Sequence, residues 1–225
     1  MRFTKNLEDL KSRIATACAA ANRSETEVSI LAVSKRHSVA AIQEAVAAGL
    51  HSMGENYLQE ALEKISLIAD PVEWHFIGKI QSNKTRAIAE NFSWVHTVST
   101  AKVARRLNEQ RPAHMAPLNV CIQINTDDSD HGGVNPDSAR ELCALIHDLP
   151  RLQLRGLMTI PLPSDELEHQ RQPFRRLREL RDELAATGTA LDTLSMGMTG
   201  DMEAAILEGS TMLRIGTALF GPRTG

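Results

Sequence analysis

Short strand-like segments alternate with helix-like segments along the whole chain, and this alternation restricts the fold more than any other feature. A strand–helix–strand repeat favours parallel strands with helices packed outside them. Eight strands are predicted, at 29–34, 51–53, 73–77, 94–98, 118–125, 152–158, 192–196 and 212–215. That count favours an α/β fold in which a single (β/α)8 TIM-type barrel closes on itself, rather than an open doubly wound sheet.

An additional N-terminal helix is predicted before the first strand. Its apolar stripe, with steps of four and three residues, consists of Phe3, Leu7, Leu10, Ile14 and Ala17. The 225 residues contain no linker-like stretch, no low-complexity tract and no strong internal repeat. We therefore expect one domain over residues 1–225.

Composition and charge exclude several classes of protein. A net charge of -3 provides no basic field to attract nucleic acid or anionic lipid. No run of about 18 apolar residues predicts a membrane span, and the charged N-terminus does not resemble a secretory signal. Cys18, Cys121 and Cys143 are odd in number and lack CxxC spacing, and no histidines pair at ligand spacing. We therefore expect a cytoplasmic protein without a metal.

Working residues of such barrels lie where the strands end, at the C-terminal rim. Lys35 follows the first strand and, by alternation, shares a face with Leu31 and Val33. A lysine amine near a region of low dielectric has a lowered pKa and is suited to forming an imine. Lys35 is therefore a candidate nucleophile.

A candidate anion site follows the seventh and eighth strands. Phosphate sites in these barrels are often built by the loops after those strands. Gly197, Gly200 and Gly216 would let backbone N–H groups approach an anion, and Thr199 and Thr217 add hydroxyl donors. A helix predicted at 199–207 would also direct unpaired N–H groups at the anion.

Two further groups follow the second and third strands. Asn56 could bond a ring substituent of a ligand, and Tyr57 could act as an acid or as a wall of the site. His75 lies within the third strand and is predicted to be a core histidine with a satisfied partner. The polar residues 81–84 lead into a helix and could form a rim that faces a substrate.

Each of these features, taken alone, also has a simpler structural explanation. Lys35 could be a solvated residue at a strand end, and Asn56 or Thr199 could be a helix N-cap. The acids Asp201 and Glu203 near the start of the 199–207 helix would repel an anion. Taken together, an amine after strand one and an anion cradle after strands seven and eight suit an aldehyde cofactor that carries a phosphate.

The chain also resembles the pyridoxal phosphate homeostasis protein family, single-domain relatives of the alanine racemase barrel. The motifs that carry the resemblance are 31–35 (LAVSK), 54–57 (GENY), 74–78 (WHFIG), 81–84 (QSNK), 155–158 (RGLM), 195–198 (SMGM), 201–206 (DMEAAI) and 214–221 (RIGTALFG). The resemblance implies pyridoxal 5'-phosphate (PLP) as cofactor. The residues implied to bind it are Lys35, Asn56, Ser195, Thr199, Arg214, Gly216 and Thr217.

The resemblance also implies a role for each of these residues. Lys35 would carry the imine, while Thr199, Gly216 and Thr217 would hold the phosphate. Asn56 and Ser195 would line the cofactor. Arg214 resembles the residue near the pyridine nitrogen. An arginine there keeps the ring nitrogen unprotonated, because two positive centres in contact repel, and this weakens the ring as an electron sink.

Two departures from the family pattern are visible. Thr199 stands where the family often has serine, and it keeps the hydroxyl group. His131 stands in the loop 127–133 where the family often has a lysine, which puts any role of that lysine in doubt.

These features favour a binding protein that buffers or delivers PLP without turnover, as a monomer, with PLP-dependent apo-enzymes as candidate acceptors. The alternative is a racemase-type enzyme. Related racemases supply a second acid–base group from a β domain and a partner subunit, and we expect neither here. Tyr57, the only tyrosine, lies on a different kind of segment. A third possibility is a phosphate-binding barrel that does not bind this aldehyde.

Overall fold

The computed structural model describes residues 2–127, 131–186 and 188–222. Its strands are β1 (Ser29–Val33), β2 (Ser52–Glu55), β3 (Glu73–Phe76), β4 (Trp94–Val98), β5 (Leu118–Gln123), β6 (Leu152–Met158), β7 (Thr193–Ser195) and β8 (Met212–Ile215). All neighbouring strands are parallel, they pair in chain order, and β8 pairs with β1. The predicted closed barrel is confirmed.

The helices alternate with the strands and cover the barrel. They are α1 (Arg2–Ala20), α2 (Val39–Ala47), α3 (Leu58–Leu67), α4 (Thr85–Asn91), α5 (Ala101–Gln110), α6 (Pro136–His147), α7 (Leu167–Ala186), α8 (Met202–Leu207) and α9 (Thr217–Phe220). Short 3-10 turns lie at Glu25–Glu27 and Ser82–Lys84. Among the residues described, no helix combines the length and apolar character that crossing a membrane requires.

The additional helix α1 packs through its predicted apolar stripe. All five residues of that stripe are buried in the main hydrophobic core. The stripe faces the last part of the chain, where the amide of Asn6 donates to the carbonyl oxygen of Leu219 (2.8 Å) and Arg13 pairs with Glu203 (2.8 Å). α1 therefore supports the two short helices that follow β7 and β8.

The core has two parts because side chains alternate across each strand. One set lies between the strands and the helices, and includes Ala32 and Met53. The other set faces the barrel interior, where Leu31, Val33 and Ile77 form a small apolar cluster. Lys35 continues the inward-facing row of Leu31 and Val33, as predicted.

The predicted helix at 199–207 begins three residues late. α8 starts at Met202, and residues before it form a turn in which Asp201 accepts a hydrogen bond from the backbone N–H of Met198 (2.5 Å). Gly197, at φ +94°, redirects the chain into that turn. The prediction that a helix opening at Thr199 directs its N–H groups at an anion is therefore wrong.

Candidate functional site

A cavity of about 200 Å³ opens at the C-terminal end of the barrel. Six of the seven predicted site residues line it, namely Lys35, Asn56, Thr199, Arg214, Gly216 and Thr217. Ser195 is fully buried and does not line the cavity. It lies directly behind the cavity wall, where its Oγ accepts from Arg214 (3.0 Å). The structure thus brings together residues from the ends of β1, β2, β7 and β8.

Lys35 lies in the turn that follows β1 and is half-buried. The next residue, Arg36, has a φ of 62°, which is uncommon for a residue with a side chain. The Glu60 carboxylate accepts a hydrogen bond from the Arg36 backbone N–H (2.5 Å). The chain on the C-terminal side of Lys35 is therefore held by a side chain of α3.

A buried ionic cluster holds the chain on the other side of Lys35. Lys64 Nζ donates to the carbonyl oxygen of Ser34 (2.8 Å) and to carboxylate oxygens of Glu55 (2.7 Å) and Glu60 (2.6 Å). The Ser34 hydroxyl also donates to Glu55 (2.7 Å). Burial raises the pKa of Glu55, and Lys64 opposes that rise. The cluster ties both neighbours of Lys35 to β2 and α3.

Sequence reasoning missed this cluster because a lysine on an amphipathic helix is usually solvated. Lys64 is only 5% exposed. Glu55 could have indicated this cluster, because it is an acidic residue at the end of a buried strand. A buried carboxylate requires a partner, and α3 is the next element along the chain.

Asn56 is not a helix N-cap. The N-cap residue of α3 is Tyr57, and its side chain makes no capping hydrogen bond. A Cβ atom on Gly78 would lie 2.0 Å from the Asn56 carbonyl oxygen, so the loop after β3 packs directly on Asn56 and requires glycine. Asn56 Oδ1 is buried and has no hydrogen-bond partner among the described residues. It is therefore a polar atom that a ligand could satisfy.

The loops after β7 and β8 meet beside the cavity. Thr199 Oγ1 accepts from the backbone N–H of Ala218 (3.3 Å), which joins the two loops. Gly197 is sterically required, because a Cβ there would lie 2.6 Å from Ala205 Cβ. Gly200 has open space around its missing side chain. Thr199 and Thr217 both line the cavity.

Arg214 is buried, with an exposure of only 4%, and hydrogen bonds fix the orientation of its guanidinium group. Its Nη1 donates to the carbonyl oxygen and Oγ of Ser195, and its Nη2 donates to the carbonyl oxygen of Thr159 (2.8 Å). Burial lowers the pKa of Arg214 to about 10, while Asp201 opposes that change. The guanidinium therefore stays charged at neutral pH, with a fixed orientation at the cavity wall.

The other predicted residues lie outside the cavity. His75 is a buried histidine with partners, as predicted, and these are Glu73 (3.0 Å) and His96 (2.9 Å). Tyr57 is 48% exposed and, with residues of the 81–84 motif, lines a neighbouring cavity. His131 bonds through Nδ1 to the carbonyl oxygen of Ile160 (2.9 Å). Residues 128–130 of its loop lie outside the described residues.

No group of three or more His, Cys, Asp or Glu side chains is arranged to hold a metal ion in the part of the chain described. The three cysteines are buried and unpaired with one another. The side chains that line the cavity offer amine, hydroxyl, amide and guanidinium groups.

Known proteins match nearly the whole chain. The family model "Alanine racemase, N-terminal domain" matches residues 6–224. The pyridoxal phosphate homeostasis protein of Pseudomonas aeruginosa is 53% identical over 98% of this chain and 96% of its own. That of Escherichia coli K12 is 47% identical over 97% and 95%.

Solved structures agree with these matches. PipY of Synechococcus elongatus PCC7942 with PLP bound has a TM-score of 0.86 at 33% identity, over 97% of this chain and 100% of that one. An alanine racemase of Clostridium difficile has a TM-score of 0.77 at 17% identity, over 100% of this chain and 57% of that one, and shares the fold. On its motifs, its barrel and these relatives, the chain belongs to the pyridoxal phosphate homeostasis protein family, which has the fold of the N-terminal domain of alanine racemase.

Proposed function

We propose that this chain binds PLP as a Schiff base on Lys35 and serves intracellular PLP homeostasis, by buffering or delivering the cofactor without turnover. The observation that carries the proposal is the cavity in which Lys35 and Asn56 lie together with Thr199, Gly216 and Thr217. The names of the relatives and the PLP bound to PipY point to the same ligand.

The residues present fit this cofactor. Asn56 offers a buried polar atom that has no partner within the described part of the chain, and a substituted ring beside it would satisfy that atom. Thr199 and Thr217 would hold the phosphate through their hydroxyl groups, beside the backbone of Gly216. Arg214, which lines the cavity, would face the pyridine nitrogen.

When bound, PLP supplies an aldehyde that condenses with a primary amine. The chain's own residues position that amine. β1 delivers Lys35 to the rim, and the Lys64 cluster fixes the peptide on either side of it. The charged Arg214 disfavours a proton on the ring nitrogen, since two cations in contact repel. These features suit retention of the cofactor better than stabilisation of a carbanion.

The absence of turnover is part of the proposal. Tyr57 is the chain's only tyrosine, and it is exposed on the wall of a different cavity. A two-base racemase requires an acid–base group on the second cofactor face at reacting distance. We also propose that the chain acts in the cytoplasm as a monomer, as one domain over residues 1–225, with PLP-dependent apo-enzymes as acceptors.

Borohydride reduction of the purified protein with added PLP tests the imine. Mass mapping should find a single modified peptide that contains Lys35, and Lys35→Arg should abolish the adduct. Adducts scattered over exposed lysines such as Lys102 would refute the site. A separate assay would incubate the loaded protein with L-alanine: no racemisation is expected, whereas turnover abolished by Lys35→Arg would establish the racemase alternative.

A further inference from the structure

Five side chains form a continuous hydrogen-bonded chain through the barrel interior, from its N-terminal end to the cavity. Glu73 Oε2 lies 3.0 Å from His75 Nε2, and His75 Nδ1 lies 2.9 Å from His96 Nε2. His96 Nδ1 lies 2.8 Å from Ser195 Oγ, which lies 3.0 Å from Arg214 Nη1. We call this set the interior relay. Four strands contribute to it: β3, β4, β7 and β8.

With both imidazoles neutral, the two ends of the interior relay set the direction of its hydrogen bonds. Arg214 can only donate and the Glu73 carboxylate can only accept. Ser195 accepts from Arg214, so its own hydrogen points to His96 Nδ1. His96 then carries its proton on Nε2 and donates to His75, which in turn donates from Nε2 to Glu73. For neutral imidazoles this direction allows a single tautomer, with the proton of each ring on Nε2.

Burial supports this assignment. His75, His96 and Ser195 are fully buried, and the side chain of Glu73 is 47% exposed. Burial lowers the pKa of His75 and places the pKa of His96 well below its ordinary value. The hydrogen bond from His75 lowers the pKa of Glu73. Both imidazoles are therefore neutral and the carboxylate is charged at neutral pH, as the hydrogen-bond direction requires.

The groups packed around the interior relay do not offer a competing arrangement. The Trp94 ring stacks on His75 at 5.3 Å between centroids, and the Ser52 hydroxyl reaches Glu73 at 3.5 Å. At the other end, the Thr159 carbonyl accepts from Arg214. Asp201 and Cys121 also face the Arg214 charge. Neither of the last two forms a hydrogen bond with an imidazole of the relay among the contacts of the described residues.

We propose that Glu73, His75, His96 and Ser195 are positioning residues that hold Arg214 in place and in its charged form against the cofactor ring. This rests on the proposed function, which places the ring nitrogen beside Arg214. His96 accepts the serine hydrogen, which points that hydrogen away from Arg214 and leaves a lone pair of Ser195 Oγ facing the guanidinium. Interrupting the relay at any point allows that hydroxyl to rotate and loosens the guanidinium.

The first readout needs no cofactor. Histidine side-chain ¹H–¹⁵N spectra of the apoprotein should show His75 and His96 as neutral imidazoles protonated on Nε2 alone. An Nδ1-protonated or charged imidazole at either position would overturn the direction of the relay. Assignment uses His75→Gln and His96→Phe, each of which removes one set of signals.

The second readout is the absorbance of the imine. His96→Phe interrupts the relay in the middle, and Glu73→Leu removes its terminal acceptor at a half-exposed position, where we expect folding to be preserved. Both variants should still form the imine on Lys35, with a shifted absorbance maximum and pH midpoint. The PLP concentration for half-saturation should rise by about tenfold.

Two matched variants separate positioning from general destabilisation. Glu73→Gln keeps an acceptor oxygen and should restore the wild-type spectrum. Met158→Leu changes a buried interior residue outside the relay, with nearly conserved volume, and should leave the spectrum unchanged. Wild-type spectra and half-saturation in both His96→Phe and Glu73→Leu would overturn this proposal alone. If the wild-type protein forms no imine, the proposed function fails and this inference fails with it.

Discussion

Lys64 Nζ donates to the carbonyl oxygen of Ser34 at 2.8 Å, which joins the middle of α3 to the residue immediately before Lys35. The same amine neutralises Glu55 at the end of β2. A lysine that is almost completely buried thus determines the path of the chain into the proposed reactive turn. This relationship makes the charge of Lys64 a structural requirement of the site.

Replacing Lys64 with methionine should destabilise the protein by about 3–5 kcal/mol, because the buried Glu55 carboxylate loses its counter-ion. Urea unfolding monitored by circular dichroism measures the change. Adding Glu55→Gln should recover part of the loss. Lys102→Met, at an exposed position on α5, is the control and should stay within about 0.5 kcal/mol of wild type. Equal stability of Lys64→Met and this control would contradict the ion-pair role.

Replacing Lys35 with alanine should abolish the imine absorbance while the protein remains folded. A half-buried rim residue contributes little packing, so we expect the free energy of unfolding to change by less than about 1 kcal/mol. Absorbance with added PLP and urea unfolding, measured on the same preparation, check both parts. Loss of the fold would show that Lys35 is a structural residue instead.

Replacing Thr217 with valine should weaken PLP retention, because the phosphate loses a hydroxyl donor while the shape of the side chain is kept. We expect the concentration for half-saturation to rise by about tenfold, with imine formation preserved at high PLP concentration. Equilibrium dialysis measures retention. Thr189→Val, before β7 at the opposite end of the barrel, should behave as wild type. Unchanged retention in Thr217→Val would argue against this phosphate position.

Replacing Gly197 with alanine should destabilise the protein by about 2 kcal/mol or more, because the position combines a φ of +94° with close contacts to Ala205 and Leu213. Gly200→Ala is the matched control three residues later. Apart from its two chain neighbours, no atom of the described residues lies within 4 Å of the added methyl group, so the substitution should be nearly neutral. Urea unfolding of the two variants gives the comparison. Similar stabilities would show that the turn after β7 adapts readily.

The stability of the protein should fall as the pH drops below the ordinary histidine pKa of about 6.5. Burial lowers the pKa values of His75 and His96 in the folded state, so the unfolded chain binds protons there first. Each imidazole contributes a slope of at most about 1.4 kcal/mol per pH unit. Urea unfolding between pH 7.5 and 5.5 measures the slope. His96→Phe should flatten it; an identical slope would contradict the neutral assignment.

Much of the architecture could be predicted from local pattern. The bounds of β4, β6 and β8 are confirmed as predicted, because apolar runs between turn residues mark buried strands clearly. The start of α8 was predicted wrongly because Thr199 is a good N-cap by residue type. The side chain of Asp201 instead closes the preceding turn by accepting from the backbone N–H of Met198.

The residues of the site could be predicted only in part from the sequence. Residues that follow strands could be assigned to the cavity because the carboxyl ends of parallel strands share one rim. Lys64 was missed, since burial of a helical lysine depends on what lies opposite it. His96 was missed because the sequence of β4 has an ordinary strand pattern that gives no sign of a polar partner. Its partners come from β3 and β7, and those contacts exist only once the barrel has closed.

The amino-acid sequence alone specifies the alternation of elements, the family and the set of residues at the rim, because strand periodicity and turn chemistry act over a few neighbouring residues. The tertiary structure determines which polar side chains meet inside the barrel. His96 and Ser195 are 99 positions apart in the chain, and their contact depends on the register of every strand between them. Long-range hydrogen bonds of this kind follow from closure and register, which no local pattern encodes.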